Sequence, residues 1–306
     1  VYEEARRAEI EAIVAVGGGS VMDMTKMVAA CLTNPEYVED VQDTGRIQNP
    51  PAKTFMIPTT AGTGAEATPN AIFLFPEQNL KIGIVSPAFV ASYVILDGKM
   101  TESLPASLTA STGFDALCHA VESYFSILGR PLSRVFSRAA TKKICANLEK
   151  AWKDGSDLEA RQNLLEGAFL AGVCLTSSST VAVHALSYPL GGKYHIPHGV
   201  SNAILLEAVM RVNLPDCREA FTELAPLMLP NCENIPKETW PEAVVDYMGS
   251  LCRRLQIPDS LRTFGIEPDA LDELTDNAME VKRLLLKNPR KLTRQEIRGI
   301  YEGLLR

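Results

Sequence analysis

The first hundred positions alternate short apolar runs with helical periodicity. Residues 2–10 carry a helix-like pattern, and residues 11–16 form a continuous apolar run suited to a buried strand. Gly17-Gly-Gly-Ser20 breaks that run, and residues 21–32 then repeat with a helical period that stops near Asn34-Pro35. A second apolar run covers residues 53–57. Residues 71–75 and 81–85 read as a hairpin with Pro76 and Asn79 in its turn, and residues 93–96 as one more strand ending at Asp97-Gly98.

Beyond about residue 100 the strand signals fade. Helical periodicity then runs through 105–126, 131–152, 157–176, 178–188, 199–212, 215–228, 241–255, 267–286 and 293–305, punctuated by Pro and Gly. Strands and helices first, then helices alone, predict two units. The expected boundary lies near 102–106, giving an α/β unit over residues 1–104 and an all-helical unit over 105–306.

Composition narrows the function. The 306 residues are 46% hydrophobic and 22% charged, with a net charge of −7. Without blocks of Lys and Arg, such a chain is a poor binder of nucleic acid or of an anionic membrane, because phosphate neutralisation needs clustered positive charge. No apolar run reaches the 18 residues of a membrane-spanning helix. Seven cysteines, an odd number without a CxxC pair, read as reduced thiols in a cytoplasmic compartment. The chain opens on Val1 rather than Met, so a processed start or a partial N-terminal unit is expected.

Two loops carry candidate phosphate chemistry. Gly17-Gly-Gly-Ser20 stands between a strand and a helix. Glycine admits close approach of a ligand to the backbone, and a helix start offers N–H groups and the positive end of its dipole. A pyrophosphate fits such a turn, although the GxGxxG fingerprint is absent. The loop Thr59-Thr-Ala-Gly-Thr-Gly64 follows the second strand with small residues and hydroxyls, and together the two loops point to a dinucleotide.

The four histidines, 119, 184, 195 and 198, fall in two short windows. Asp115 and His119, four apart, share one face of the helix expected there, with Thr112 and Glu122 as neighbours that could orient them. His184 lies in a helical stretch and His198 at a helix start. One carboxylate and three imidazoles would suit a divalent metal of the iron or zinc kind.

These motifs resemble those of iron-containing (group III) alcohol dehydrogenases. Val16-Gly-Gly-Gly-Ser-Val-Met-Asp-Met-Thr-Lys26 is similar to the family's GGGSxxDxxK signature, and Pro58-Thr-Thr-Ala-Gly-Thr-Gly-Ala-Glu66 to its PTTAGTGSE loop. Thr112-Gly-Phe-Asp-Ala-Leu-Cys-His-Ala-Val-Glu122 resembles its TGxDAxxHAxE helix. The stretch from His184 to Gly199, ending Pro197-His-Gly, resembles its HxxxxxLG…PHG segment, and Asn288-Pro-Arg290 its C-terminal NPR. The resemblance implies a Rossmann-like dinucleotide domain, here partial and lacking its first strands, followed by an all-helical metal domain. It implies a metal, Fe2+ or Zn2+, on Asp115, His119, His184 and His198. It further implies NAD or NADP held by Gly18, Gly19, Ser20, Asp23, Thr59, Thr60, Thr63, Asn70 and Lys81, and a homodimer or larger homo-oligomer.

The implied reaction is hydride transfer between a small alcohol or aldehyde and the nicotinamide, with the metal acting as a Lewis acid on the substrate oxygen. Tyr188 replaces a histidine that some members carry four residues after the one matching His184. Proton relay is left to Tyr188, His195 or water. Related glycerol or glycerol-phosphate dehydrogenases, or a lyase like dehydroquinate synthase, are the alternative enzymes. Lys193 is the one cation the sequence places near the ligands, which disfavours a doubly charged substrate. A catalytically dead oligomer partner is the non-enzyme alternative.

Overall fold

The computed structural model describes residues 1–75 and 80–305. The helix α1 (Tyr2–Arg7) leads into β1 (Ala12–Gly17), α2 (Gly19–Thr33) and β2 (Lys53–Pro58). Then come β3 (Asn70–Phe75), β4 (Leu80–Val85) and the short β5 (Tyr93–Val94). β1 pairs in parallel with β2, and β2 with β5, while β3 and β4 form an antiparallel pair. The hairpin pairing is as expected; Pro76 and Asn79 of its turn lie outside the described residues. The last strand is shorter than the expected 93–96.

In the β1–β2 register Ala12 faces Lys53 and Gly17 faces Pro58, so both candidate loops leave the same carboxyl edge of neighbouring parallel strands. Open α/β sheets bind ligands at that edge. The helix α2 lies over this region because its buried side, Met22, Met27, Val28 and Cys31 among others, recurs at helical spacing. Met27 and Cys31 join Tyr37, Ala71, Ile84 and Phe89 in one small core, and Met22 joins Ala15 and Met56 in another.

From Ala106 the chain is helical: α3 (Ala106–Phe125), α4 (Pro131–Lys153), α5 (Leu158–Ser178), α6 (Ala182–Tyr194) and α7 (His198–Met228). These are followed by α8 (Trp240–Arg254), α9 (Leu271–Met279), α10 (Lys282–Leu285) and α11 (Arg294–Gly303). The helix α3 is the centre of the main core, with α4, α5 and α7 packed around it. Its Ala110, Ala116 and Ala120 are fully buried, and Gly113 leaves room for Leu148 of α4. Small residues on part of α3 let neighbouring helices approach closely, while its Phe114, Leu117 and Tyr124 fill the core between them.

Two expected helix limits are corrected, and one break is moved by a few residues. The break expected between the helices at 199–212 and 215–228 falls at Cys217, which leaves helical geometry with φ −129° and joins the two helices end to end across a kink. Pro215 lies two residues before that break and removes one backbone hydrogen bond, while Phe221, Leu224 and Ala225 beyond it are fully buried. The helix expected at 178–188 starts at Ala182, after Ser179 adopts φ +65°, and runs through Pro189 to Tyr194. The stretch 267–286 splits into α9 and α10. Among the described residues no single helix is long and apolar enough to cross a membrane, and all seven cysteines are free.

Candidate active site

Asp115 and His119 stand one turn apart on α3, His184 lies in the first turn of α6, and His198 opens α7. The Nε2 atom of each histidine lies 3.7 Å from Asp115 Oδ1. One donor atom from each of the four residues lies within 4.8 Å of all the others. Nitrogen and oxygen ligands about 2.1 Å from one tetrahedral ion are about 3.4 Å apart, so these four need only small adjustments to share a cation. Asp115, His119 and His184 are buried, whereas the His198 side chain is 40% exposed and forms the open side of the cluster.

The electrostatics suit a cation. Burial alone would raise the Asp115 carboxyl, but the three histidines and the Asn202 amide outweigh it and hold the group at about 2. Burial, followed by His119 and His198, pushes His184 well below its ordinary range, which leaves a neutral imidazole with a lone pair. His184 Nδ1 meets Oε2 of Glu122, a fully buried residue of α3. The other oxygen, Oε1, accepts from the backbone N–H groups of Val181 at 3.1 Å, Val183 at 2.7 Å and His184 at 3.4 Å. Glu122 therefore caps the start of α6 and fixes the His184 ring in one act. Thr112, the other expected neighbour, is turned to its own helix and donates to the Leu108 carbonyl.

Asn202, one turn after His198, was not singled out by sequence reasoning. Its Nδ2 donates to Asp115 Oδ1 at 2.7 Å and lies 3.1 Å from His184 Nε2 and 3.3 Å from His198 Nε2. The lone pairs of three predicted ligands thus converge on one electropositive point, here met by amide hydrogens. His119 Nδ1 and Asn202 Oδ1 are buried without a hydrogen-bond partner among the described residues. This donor set fits a divalent cation of the iron or zinc kind.

The glycine turn faces the threonine loop. Thr59 N–H donates to the Gly17 carbonyl at 2.9 Å. A Cβ at Gly18 would lie 3.3 Å from the Thr60 hydroxyl, and one at Gly19 2.9 Å from the Thr63 hydroxyl. Gly18 caps α2, and Ser20 in its first turn is exposed, so the helix start is open to an anion. Asp23 and Asn70 are placed differently. Asp23 turns inward, its Oδ2 accepting from Ile72 N–H at 3.0 Å, and the Asn70 carbonyl accepts from Lys26 Nζ at 2.6 Å. The side chain of Lys81 lies outside what is described. Lys26 itself is buried beside Asp23 and Glu66; burial draws it down to about 8 and lifts Glu66 to about 7.

Comparison with known proteins agrees with this geometry. The iron-containing alcohol dehydrogenase family matches residues 1–98, and the C-terminal part of the Fe-containing alcohol dehydrogenase family matches residues 109–305. The chain belongs to the iron-containing alcohol dehydrogenase family. It is therefore an oxidoreductase of the kind that acts on CH–OH groups. It is 35% identical over 302 residues to long-chain-alcohol dehydrogenase 1 of Geobacillus thermodenitrificans, a match covering 98% of this chain and 76% of that one. Among solved structures it resembles a 1,3-propanediol oxidoreductase (33% identity, TM-score 0.91, covering 99% of this chain and 79% of that one). It also resembles sulfoacetaldehyde reductase from Bifidobacterium kashiwanohense in complex with NAD+ (28% identity, TM-score 0.89, 99% and 78%). A metal and a nicotinamide coenzyme are the cofactors these findings support.

In this family member Tyr188 stands at the edge of the cluster, its ring centre 6.4 Å from that of His198. His195 ends α6 in a left-handed conformation, φ +54°; it is exposed and outside the group of four. Lys193 is not the cation of the site. It sits on the surface, 2.5 Å from Glu273 Oε2. The guanidinium beside the Tyr188 hydroxyl belongs instead to Arg283, nearly a hundred residues away in sequence and brought in where α10 packs on α6.

Proposed function

We propose that this enzyme transfers hydride reversibly between a nicotinamide coenzyme and a small alcohol or aldehyde, with Asp115, His119, His184 and His198 holding a divalent cation, iron before zinc. The observation that carries this reading is the convergence of three Nε2 atoms, each 3.7 Å from Asp115 Oδ1. When bound, the cation supplies Lewis-acid stabilisation of charge on the substrate oxygen, and the coenzyme accepts or donates the hydride.

The chain's own residues do the rest. With a cation bound, Glu122 in its ionised form would accept a hydrogen bond from His184 Nδ1–H and keep the Nε2 lone pair aimed inward. Asp115 remains ionised through the neutral range. The Gly18–Gly19 turn and the hydroxyls of Thr59, Thr60 and Thr63 form the bed for the coenzyme phosphates. Tyr188, beside the exposed His198, is the side chain we assign to proton traffic between the cluster and solvent. The proposed division of labour places the coenzyme on residues 1–104 and the metal on 105–306.

Metal analysis of anaerobically purified protein, paired with aldehyde-dependent NAD(P)H oxidation, tests the reading. His198→Ala should lose metal and activity together. Retention of both removes His198 from the site, and a wild type that purifies without stoichiometric metal supports a catalytically dead oligomer partner instead.

A further inference from the structure

The helical half of the molecule pairs most of its arginines with carboxylates: Arg211, Arg218, Arg254, Arg290, Arg294 and Arg298 all lie within salt-bridge distance of Asp or Glu. Arg283 is an exception, and it makes no ion pair among the described residues. Its guanidinium stands beside the hydroxyl of Tyr188. Tyr188 in turn lies against His198, the exposed ligand of the metal cluster. Lys287, four residues on, has no carboxylate partner either; its Nζ donates to Ser179 Oγ at 3.0 Å, in the link that leads into α6.

Arg283 and Lys287 feel each other's charge. Two cations side by side repel, and in a chain of net charge −7 there is no shortage of carboxylates to neutralise them. Among the described residues none stands within ion-pair distance of either. An uncompensated pair beside the open side of a site is a binding position for an anion that arrives from outside, and a guanidinium with free N–H groups matches a carboxylate in charge and shape.

We propose that Arg283, backed by Lys287, is a specificity subsite that selects aldehydes and alcohols carrying a carboxylate at the end remote from the reacting carbon. The Tyr188 ring spans the distance between this subsite and His198. Its apolar body lines the path of a short methylene chain, and its hydroxyl helps to hold the guanidinium. The negative charge of the substrate is thus recognised away from Asp115 and Glu122, whose carboxylates would repel it. This inference rests on the hydride-transfer reading above.

The test compares 4-oxobutanoate with its methyl ester, a neutral probe of the same chain, in aldehyde-dependent NADH oxidation. The wild type should favour the acid in kcat/KM, and the preference should shrink with added salt. Arg283→Gln should lower the acid-to-ester ratio about 10- to 100-fold, the worth of one charge-assisted hydrogen bond, with the change carried mainly by KM. Lys287→Gln should lower it less. Arg283 is exposed, so its replacement leaves the core intact. A wild type that reduces neutral aldehydes without preferring the acid overturns this inference alone, as does an equal loss on both probes in Arg283→Gln. A metal-loaded wild type that oxidises neither NADH nor NADPH with any aldehyde supplied overturns the hydride-transfer reading, and this inference with it.

Discussion

Replacing Glu122 by glutamine tests how the cluster is held. The two side chains have the same shape, but the amide has one acceptor where the carboxylate has two. In the native arrangement Oε1 accepts from the backbone N–H groups of Val181, Val183 and His184, and Oε2 faces His184 Nδ1. Burial lifts Glu122 to about 8 against the pull of those amides, and a cation on His184 Nε2 favours the ionised carboxylate, which then accepts from Nδ1–H. In Glu122→Gln the carbonyl oxygen must stay on the three N–H groups, because turning the NH2 toward them sets donor against donor. The NH2 then faces Nδ1 and donates to it. The imidazole proton moves to Nε2, the atom that points at Asp115, and that nitrogen has no lone pair left to offer a cation. Loss of such a partner weakens metal binding about 10- to 100-fold, or about 1.4–2.8 kcal/mol. The opposite amide orientation would save the ligand and unfasten the start of α6, at about 1–3 kcal/mol of folding stability. Competitive zinc or cobalt titration and thermal melting of the metal-free protein read the two outcomes. A variant with metal affinity within threefold of wild type and an unchanged melting temperature refutes this account.

Two further outcomes are expected. Gly19→Val places a Cβ 2.9 Å from the Thr63 hydroxyl and forces the glycine turn off the threonine loop; NADH binding, followed by fluorescence, should weaken at least about tenfold while metal content stays at the wild-type level. Glu66 stands at about 7 in the folded protein, above its ordinary 4.5, chiefly through burial. Stability from its protonated form is therefore full below pH 4.5 and lost as pH rises through 7, about 3 kcal/mol in all. Glu66→Gln should abolish that component, so the gap in melting temperature between variant and wild type should change across pH 4.5–8, and a constant gap contradicts the assignment.

The separate chemistries were legible where they depend on local spacing. Asp115 and His119 fall four apart on one helix face, and the glycine turn follows an apolar strand run. Features set by tertiary contact were not. Asn202 reads as an ordinary polar residue until α7 is laid against α3, although its spacing of one turn from His198 was a usable signal. Arg283 carries no local mark, because its meaning comes from α10 packing on α6. The start of α6 shifted from 178 to Ala182 because its first N–H groups are capped by Glu122, a side chain some sixty residues earlier. Pro215, by contrast, was a local signal that served, since the two helices meet at a kink at Cys217, two residues on.

The two chemistries must also be set at a fixed separation, since hydride transfer is sensitive to shifts of an ångström. Three glycines accomplish this by removing side chains where backbones meet. A Cβ at Gly62, in the threonine loop, would lie 2.7 Å from Thr112 Cβ on α3. Gly64, at φ +59°, rests on α5, where a Cβ would lie 2.7 Å from Gly172 Cα and 2.9 Å from the Ala168 carbonyl oxygen. Gly199, the residue after His198, presses on α3 so closely that a Cβ would overlap the Ser111 carbonyl. Ser111 and Thr112 are neighbours, one turn before Asp115. The same turn of α3 thus receives the threonine loop on one side and the start of α7 on the other. Any side chain at Gly62 or Gly199 would move a loop or a ligand against that turn, and α3 cannot follow, because α4, α5 and α7 hold it in the core. The proposed metal ligands and the proposed coenzyme bed are therefore registered through one buried helix, which accounts for glycine at Gly62, Gly64 and Gly199.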